Sequence, residues 1–305
     1  MRENGRGFSE IVKTLALELG FHAVGIAGRD DLLGLCEKTG LESHKRQFDL
    51  ESALPGARSA ICTAVSYLAD IPEVKTANIA KFARSQDYHT VITKKLEQLA
   101  VMISNISQGF RWRSCVDTGP IFDRAAAYCA GLGSIGKNRC LFVTEYGSYV
   151  FLGELVTDLE LESDSPAERD ICGRCTLCLD ACPTGALGDG DGFNRGLCLS
   201  HVTQNRSQPA EYIAEKLQGR IYGCDICQDA CPLNGNARKT DWPEFLNPNP
   251  AAANPNLKLF SEMSDRDFEL LFGKTAMHWC GKETISRNAR IALKGRWADP
   301  GGQGS

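Results

Sequence analysis

The chain has no apolar run approaching the ~18 residues that a membrane-spanning helix needs, which sets aside a helical membrane protein. Its first residues, Met1 to Gly7, lead straight into an amphipathic stretch. The uninterrupted apolar core of a secretory signal and the twin-arginine export pattern are both missing, so a cytoplasmic location is expected. Excess positive charge is missing too. The 34 Lys and Arg stand against 38 Asp and Glu, a formal net charge of -4, which argues against a protein that coats nucleic acid and leaves room for a local basic patch. No internal repeat is visible apart from two cysteine motifs.

Length and cysteine are what the chain does have. With 305 residues and 43% hydrophobic content it can bury a sizeable core, arranged as one large domain and a smaller one. Fourteen cysteines would suggest disulfides in a secreted protein; in a cytoplasmic chain with CxxC clusters they suggest metal ligation.

Residues 8 to 19 have helical apolar spacing, and 23 to 27 then read as a short strand. Residues 59 to 68 read as a buried strand, 88 to 106 as a long helix, and 112 to 116 as a strand ending at Asp117. A helix is expected from Pro120 to Cys129, before the Gly131-Leu132-Gly133 cluster. Residues 140 to 158 alternate around Glu145-Tyr146-Gly147-Ser148 and read as a β-hairpin. These patterns predict an α/β or α+β domain over 1–165. A cysteine-rich domain follows over 166–250, and a helical segment with a Gly-rich, disordered end over 251–305. A Pro/Asn-rich loop is expected from 247 to 255.

The strongest signal is Cys172-x2-Cys175-x2-Cys178-x3-Cys182-Pro183, followed by Cys198 and then Cys224-x2-Cys227-x3-Cys231-Pro232. Closely spaced thiolates on a tight loop wrap three corners of an iron-sulfur cube, and in two-cluster ferredoxins the cysteine before proline serves the other cluster. That rule groups Cys172, Cys175, Cys178 and Cys231 on one 4Fe-4S cluster, and Cys182, Cys198, Cys224 and Cys227 on the second. A pair of tetrahedral zinc sites is the alternative, since zinc also takes CxxC knuckles. Cys36, Cys62, Cys115, Cys129, Cys140 and Cys280 remain, and they read as small hydrophobes.

Other signals are weaker. Gly131-x-Gly133-x-x-Gly136-Lys137 matches a dinucleotide fingerprint, but a helix precedes it and a strand follows, the reverse of what that fingerprint requires. A loop contacting another anionic cofactor, through its amides and Lys137-Asn138, is one reading; a structural turn is the other. Asp87-Tyr88-His89 begins like the DxHxxG motif that supplies a histidine to cobalt, yet Ile92 stands where glycine is needed. His201 reads as a neighbour of the ligand Cys198 rather than a ligand. Asp117 by itself reads as a turn former.

With both cysteine motifs placed, the chain resembles the epoxyqueuosine reductases, cobalamin-dependent iron-sulfur enzymes that complete the tRNA nucleoside queuosine. The likeness runs through residues 83–89 (ARSQDYH), 116–138 (VDTGPIFDRAAAYCAGLGSIGKN), 147–161, 172–187, 222–234 and 287–293 (RNARIAL). It implies a reductive-dehalogenase-like cobalamin-binding domain followed by a two-cluster ferredoxin-like domain. Cobalamin would bind base-off with no histidine on cobalt, and the two clusters would pass electrons to it. Asp117 matches the family's proton donor, and Asp87, His89 and Arg124 match nearby polar positions. Lys137, Asn138, Ser200, Asp225 and Ile226 would touch the cofactor. A tRNA substrate is implied, with a cytoplasmic electron donor such as ferredoxin or flavodoxin and no membrane partner. The chain departs from the family at Ser134, where an aromatic residue is common, and in ending soon after residue 293, where many relatives continue into helical repeats. A related reductase acting on a small molecule and a ferredoxin-type electron carrier are the alternatives. Against the carrier stands an N-terminal domain of ~165 residues, larger than electron carriage needs. Arg287, Arg290 and Lys294 share a helical face and are expected either to meet RNA phosphates or to favour a helix C-terminus.

Overall fold

The computed structural model describes residues 2–70, 77–166, 169–188 and 192–294. Two compact units are interleaved along the chain. The first comprises Met1–Ser66, His89–Gly173 and Asn236–Arg238, and the second Tyr67–Tyr88, Arg174–Gly235 and Lys239–Ser305. Elements are numbered along the whole chain.

The first unit holds α1 (Arg2–Glu18), β1 (Ala23–Gly28), α2 (Arg29–Thr39), the single turn α3 (Lys45–Phe48) and β2 (Ser59–Ser66). After these come α4 (Tyr88–Ser104), β4 (Trp112–Cys115), α5 (Asp123–Cys129), β5 (Gly133–Ile135), β6 (Leu141–Val143) and β7 (Val150–Thr157). Its main sheet has the order β1-β2-β7-β4, with every neighbouring pair antiparallel. All eight residues of β2 are buried, as expected for a strand covered on both faces.

Residues facing each other across an antiparallel pair share a face. On one face α4 lies so close that a Cβ added at Gly153 of β7 would come 2.6 Å from Ile92 Cγ2. The opposite face carries Ala60, Cys62, Ala64, Cys115, Leu152 and Val156 against α2 and α5. Here Gly25 of β1 is needed for the same reason, since a Cβ would meet the Ala130 carbonyl oxygen at 2.0 Å.

The expected hairpin over 140–158 is not formed as such. A single bridge joins Val143 to Gly147, β6 pairs with β5, and β7 leaves to pair with β2 and β4. Alternation identifies a strand without naming its partner, and β7 is buried on both faces only in the centre of the larger sheet. The helix expected from Pro120 starts at Asp123. Far along the chain, Arg238 closes the unit. Its N–H donates to the Glu145 carbonyl, and its guanidinium lies over Tyr146, which stacks on His22 at 4.5 Å.

In the second unit β3 (Asn78–Ile79) pairs parallel with β8 (Arg220–Tyr222). Around them lie α6 (Leu177–Ala181), α7 (Leu199–Gln204), α8 (Glu211–Ala214) and α9 (Ile226–Asp229). Next come α10 (Pro243–Leu246), α11 (Pro250–Ala253), α12 (Leu257–Glu262), α13 (Asp265–Phe272) and α14 (Lys282–Lys294). Ile221, Tyr222, Phe260, Phe272, Met277 and Ile285 form its core. The expected Pro/Asn-rich loop contains α11, because the Asn249 side chain caps it by accepting from the N–H groups of Ala251 and Ala252 and Pro250 fits the first helical position. The expected disordered end beyond 294 lies outside the described residues.

Arg287 corrects the expectation of a phosphate-facing side chain. It is 6% exposed, and its guanidinium donates to the carbonyls of Val202, Asn205 and Ser207 and to Asn288 Oδ1. Counting charges along a helix assumes that they reach solvent, and this one is taken up by backbone oxygens. Arg290 and Lys294 are exposed, and Arg290 lies 3.9 Å from Glu283.

Candidate functional site

In the second unit α6 packs against α9, which brings the two cysteine motifs together. Cys198 lies within electrostatic range of Cys227 and Cys182, and Cys224 within range of Cys227. These are the four residues that the spacing rule groups on one cluster. Their sulfurs are met by backbone donors: Thr184, Ala186 and Leu187 point N–H groups at Cys182, Ser200 and His201 at Cys198, and Ile226 at Cys224. Burial pushes the Cys182 thiol up, but the Thr184 hydroxyl at 3.6 Å and the surrounding N–H groups outweigh it and leave the thiol below its ordinary value. Amide donors aimed at sulfur stabilise thiolate, the form that ligates iron, and tune cluster potential. The donor set therefore fits iron-sulfur ligation. His201 takes part through its backbone N–H.

Ser200 takes part through its N–H, and its hydroxyl accepts from Gln204. Asp225, 5% exposed, accepts the Lys81 N–H at 2.7 Å through Oδ2, while its buried Oδ1 has no partner. Asp87, also in this unit, donates its backbone N–H to the Lys274 carbonyl.

Cys172 belongs to the first unit. Asp170 accepts from its N–H and from that of Gly173 through one carboxylate oxygen. The Lys137 N–H donates to the Cys172 sulfur at 3.4 Å, and the Lys137 ammonium donates to the Gly173 carbonyl at 2.7 Å. The glycine-rich loop thus meets Cys172 and Gly173 directly. Asn138 is buried and accepts from the Cys140 N–H.

Asp117 follows β4 with φ +51°, a left-handed conformation that Asp tolerates better than most residues. The Thr118 N–H closes a tight turn onto the Val116 carbonyl, and Ser52 Oγ donates to the Pro120 carbonyl. The turn presents Asp117 half exposed, with Oδ2 3.4 Å from His89 Nε2. Arg124 donates to the Arg139 carbonyl. Both arginines, with Lys38, Phe122, Asp123 and Tyr128, line a cavity of about 670 Å³.

The sequence reading missed two carboxyls beside this turn. Asp123 opens α5, and burial raises its pKa above its ordinary value, opposed by Arg124 and reinforced by Asp117. Glu154, in the middle of β7, is 1% exposed, and neither oxygen has a hydrogen-bond partner. Burial, then the charges of Asp123 and Asp117, push its pKa well above the ordinary range. Its one sequence signal is a lone acid inside the otherwise apolar run 150–156.

The family described as 4Fe-4S double cluster binding domain matches residues 171–234, and the family described as epoxyqueuosine reductase QueG, DUF1730, matches residues 47–118. Among curated relatives, the epoxyqueuosine reductase of Gloeobacter violaceus is 39% identical over 92% of this chain and 94% of its own length. That of Bacillus subtilis is 38% identical over 91% of this chain and 76% of its own length. The solved epoxyqueuosine reductase of Streptococcus thermophilus superposes with a TM-score of 0.83 at 36% identity, covering 94% of this chain and 80% of that one. A solved epoxyqueuosine reductase with an epoxyqueuosine-modified tRNA-Tyr stem loop gives 0.82 at 35% identity, over 94% and 80% of the two chains.

Proposed function

Because the chain belongs to the epoxyqueuosine reductase family, we propose that it removes the epoxide oxygen of epoxyqueuosine in tRNA, leaving a carbon-carbon double bond and water. The change consumes two electrons and two protons. Electrons come through the double 4Fe-4S domain, reduced by a cytoplasmic donor such as ferredoxin or flavodoxin. We assign the clusters to Cys172, Cys175, Cys178 and Cys231, and to Cys182, Cys198, Cys224 and Cys227. The substrate is tRNA, as for the relative solved with a modified stem loop. Among the described residues no helix is long and apolar enough to cross a membrane.

Base-off cobalamin is the second cofactor. The unpartnered buried Oδ1 of Asp225 suits the amide donors of a corrin periphery, and we assign Ser200, Asp225, Ile226, Lys137 and Asn138 to holding it. When bound, cobalamin supplies a low-potential cobalt able to deliver electrons to the epoxide carbon. Ile92 is buried against β7, which supports the absence of a cobalt-binding histidine loop there.

The observation that carries the chemistry is the Asp117–His89 pair, an acid held out on a strained turn beside an imidazole. Oxygen leaves poorly as hydroxide, so a proton must arrive as the C–O bond breaks. Asp117 gives it, and a positioned acid contributes about 100-fold to 10,000-fold. His89 orients the carboxyl, while Arg124 and Asp87 complete the polar surroundings of the substrate.

The test is anaerobic incubation with cobalamin, a strong reductant and epoxyqueuosine-containing tRNA, followed by nucleoside analysis. Conversion by the parent, and its loss in Asp117→Asn with cofactors retained, is expected. Cobalamin binding without conversion would overturn the tRNA substrate. Near-normal turnover by Asp117→Asn would overturn the acid assignment. Nitrogen superhyperfine splitting in the Co(II) resonance would overturn base-off binding without a histidine.

A further inference from the structure

The Gly131-x-Gly133-x-x-Gly136-Lys137 motif fails as a dinucleotide fingerprint, and the structure shows what its last residues do. Gly136 begins a tight turn. Its N–H donates to the Cys140 carbonyl at 3.0 Å, and the Arg139 N–H donates back to the Gly136 carbonyl at 2.9 Å. Arg139 takes φ +65°, a left-handed conformation, to close the turn, and the Asn138 carboxamide accepts the Cys140 N–H. A Cβ added at Gly136 would lie 2.7 Å from Phe142 Cε2, so only glycine lets the turn sit this close to β6. The backbone around Lys137 is therefore fixed in place.

From that turn the Lys137 N–H donates to the Cys172 sulfur at 3.4 Å, and the ammonium of the same residue donates to the Gly173 carbonyl at 2.7 Å. Two bonds to successive residues fix where the cation stands relative to the ligand. The opposite charge is held as firmly. Asp170 accepts from the N–H groups of Cys172 and Gly173 through Oδ1 at 3.1 and 3.0 Å, and its carboxylate lies within electrostatic range of the Lys137 ammonium. One electron added to a 4Fe-4S cluster adds a negative charge to a group already anionic through its four thiolates. A hydrogen bond to sulfur or a nearby cation favours that more negative form and raises the reduction potential, whereas a nearby carboxylate lowers it. Near the protein surface one such charge is worth about a tenfold change in the reduction equilibrium, ~59 mV for one electron.

We infer that Lys137 sets the reduction potential of the cluster that Cys172 ligates, raising it through the amide bond to sulfur and through an ammonium that offsets the Asp170 carboxylate. The step balances: a donor of the ferredoxin or flavodoxin class loses one electron, the cluster gains it, and no bond or proton moves at Lys137. Lys137 acts through the Cys172 sulfur, as a positioning residue, and the inference rests on Cys172 being an iron ligand.

Lys137→Met removes the ammonium and keeps the amide. Cluster-loaded protein free of cobalamin is titrated anaerobically with dithionite and mediators, and the reduced clusters are followed by electron paramagnetic resonance. With cobalamin left out, no contact of Lys137 with that cofactor enters the reading. One of the two cluster midpoints should fall by ~59 mV, a tenfold change, while the other stays. Lys137→Arg should restore the parent value. Asp170→Asn keeps an oxygen for both amides and should raise the same midpoint by a like amount, and the double variant should return close to the parent. Unmoved midpoints in Lys137→Met, both midpoints displaced equally, or a Lys137→Arg value that stays with Lys137→Met would each overturn the proposal. If Lys137→Met loses iron, Asp170→Asn decides it, and a midpoint that stays or falls there overturns it. Cys172→Ala run alongside separates the two claims. If it keeps about eight iron atoms, the ligand assignment falls first; if it keeps about four while Lys137→Met leaves both midpoints unmoved, only the tuning role falls.

Discussion

Replacing Asn288 with alanine removes a side chain whose hydrogen-bonding capacity is fully used. Nδ2 donates to the carbonyls of Thr203 and Ile221, each at 2.7 Å, and Oδ1 accepts from Nε and Nη2 of Arg287 at 3.0 and 2.8 Å. Asn288 is 0% exposed, so water cannot replace it without opening the core. Two backbone carbonyls would be left without donors at ~1–3 kcal/mol each, about 4 kcal/mol together. For a unit of this size each kcal/mol lowers the melting temperature by roughly 2–4 °C, so the expected loss is about 8–16 °C. The site reaches the clusters as well. Thr203 Oγ1 accepts the Gly223 N–H just before Cys224, and Cys198 sits at the N-cap of α7, which carries Thr203. Thermal unfolding of the cluster-loaded protein under anaerobic conditions, followed by circular dichroism at one scan rate, measures the first effect. Loss of cluster absorbance to an iron chelator measures the second, and should be faster in the variant. Asn288→Asp should be worse still, because it turns a carboxylate toward two carbonyls. A melting shift under ~2 °C for Asn288→Ala would refute this reasoning.

Replacing Cys182 or Cys231 with serine should each remove one cluster, lowering iron from about eight to about four atoms per chain; two zinc ions and no iron-sulfur absorbance would contradict the ligand assignment. Glu154 also has a stability signature. Its folded pKa is raised, so between the unfolded value near ~4.3 and the folded one the native state binds the extra proton, and stability falls as pH rises. Against the parent, Glu154→Gln should therefore gain in melting temperature as pH rises from about 4.5 to 8; a constant difference would mean that Glu154 is ionised. Gly25→Ala places a methyl group 2.0 Å from the Ala130 carbonyl oxygen and should cost about 1–3 kcal/mol by forcing α5 outward, read as a lowered melting temperature; an unchanged value would mean that α5 shifts freely.

The 4Fe-4S double cluster domain was legible because ligation is local: a loop that wraps a cube needs fixed spacing, and spacing is visible in sequence. Strands β1, β2 and β4 and helix α4 were legible for a related reason, since apolar periodicity records which faces are covered. What periodicity cannot record is partnership. Nothing in 140–158 says that β7 passes over its neighbour β6 to sit between β2 and β4. Burial of charge was equally hidden. Arg287 reads as a cation available to phosphate until three carbonyls are seen to occupy it, and Glu154 passes for the solvent-facing member of an alternating strand until both faces of β7 are seen to be covered. The Asp117 turn was visible as a motif, but its left-handed backbone and its contact with His89 depend on tertiary closure.

The interleaving of the two units bears on how the chain is made. β2 cannot gain its central partner until residue 157 has left the ribosome, and β3 waits for β8, a delay on the order of ten seconds at bacterial translation speed. During that interval residues 77–88 have been synthesised without the strand that later covers them. Nor can either unit be excised as a single stretch of sequence, because Tyr67–Tyr88 and Asn236–Arg238 each belong with residues far away along the chain. Two co-expressed halves divided at any peptide bond between Tyr67 and Arg238 would therefore each carry part of both units, and folding of either unit would require the halves to find each other.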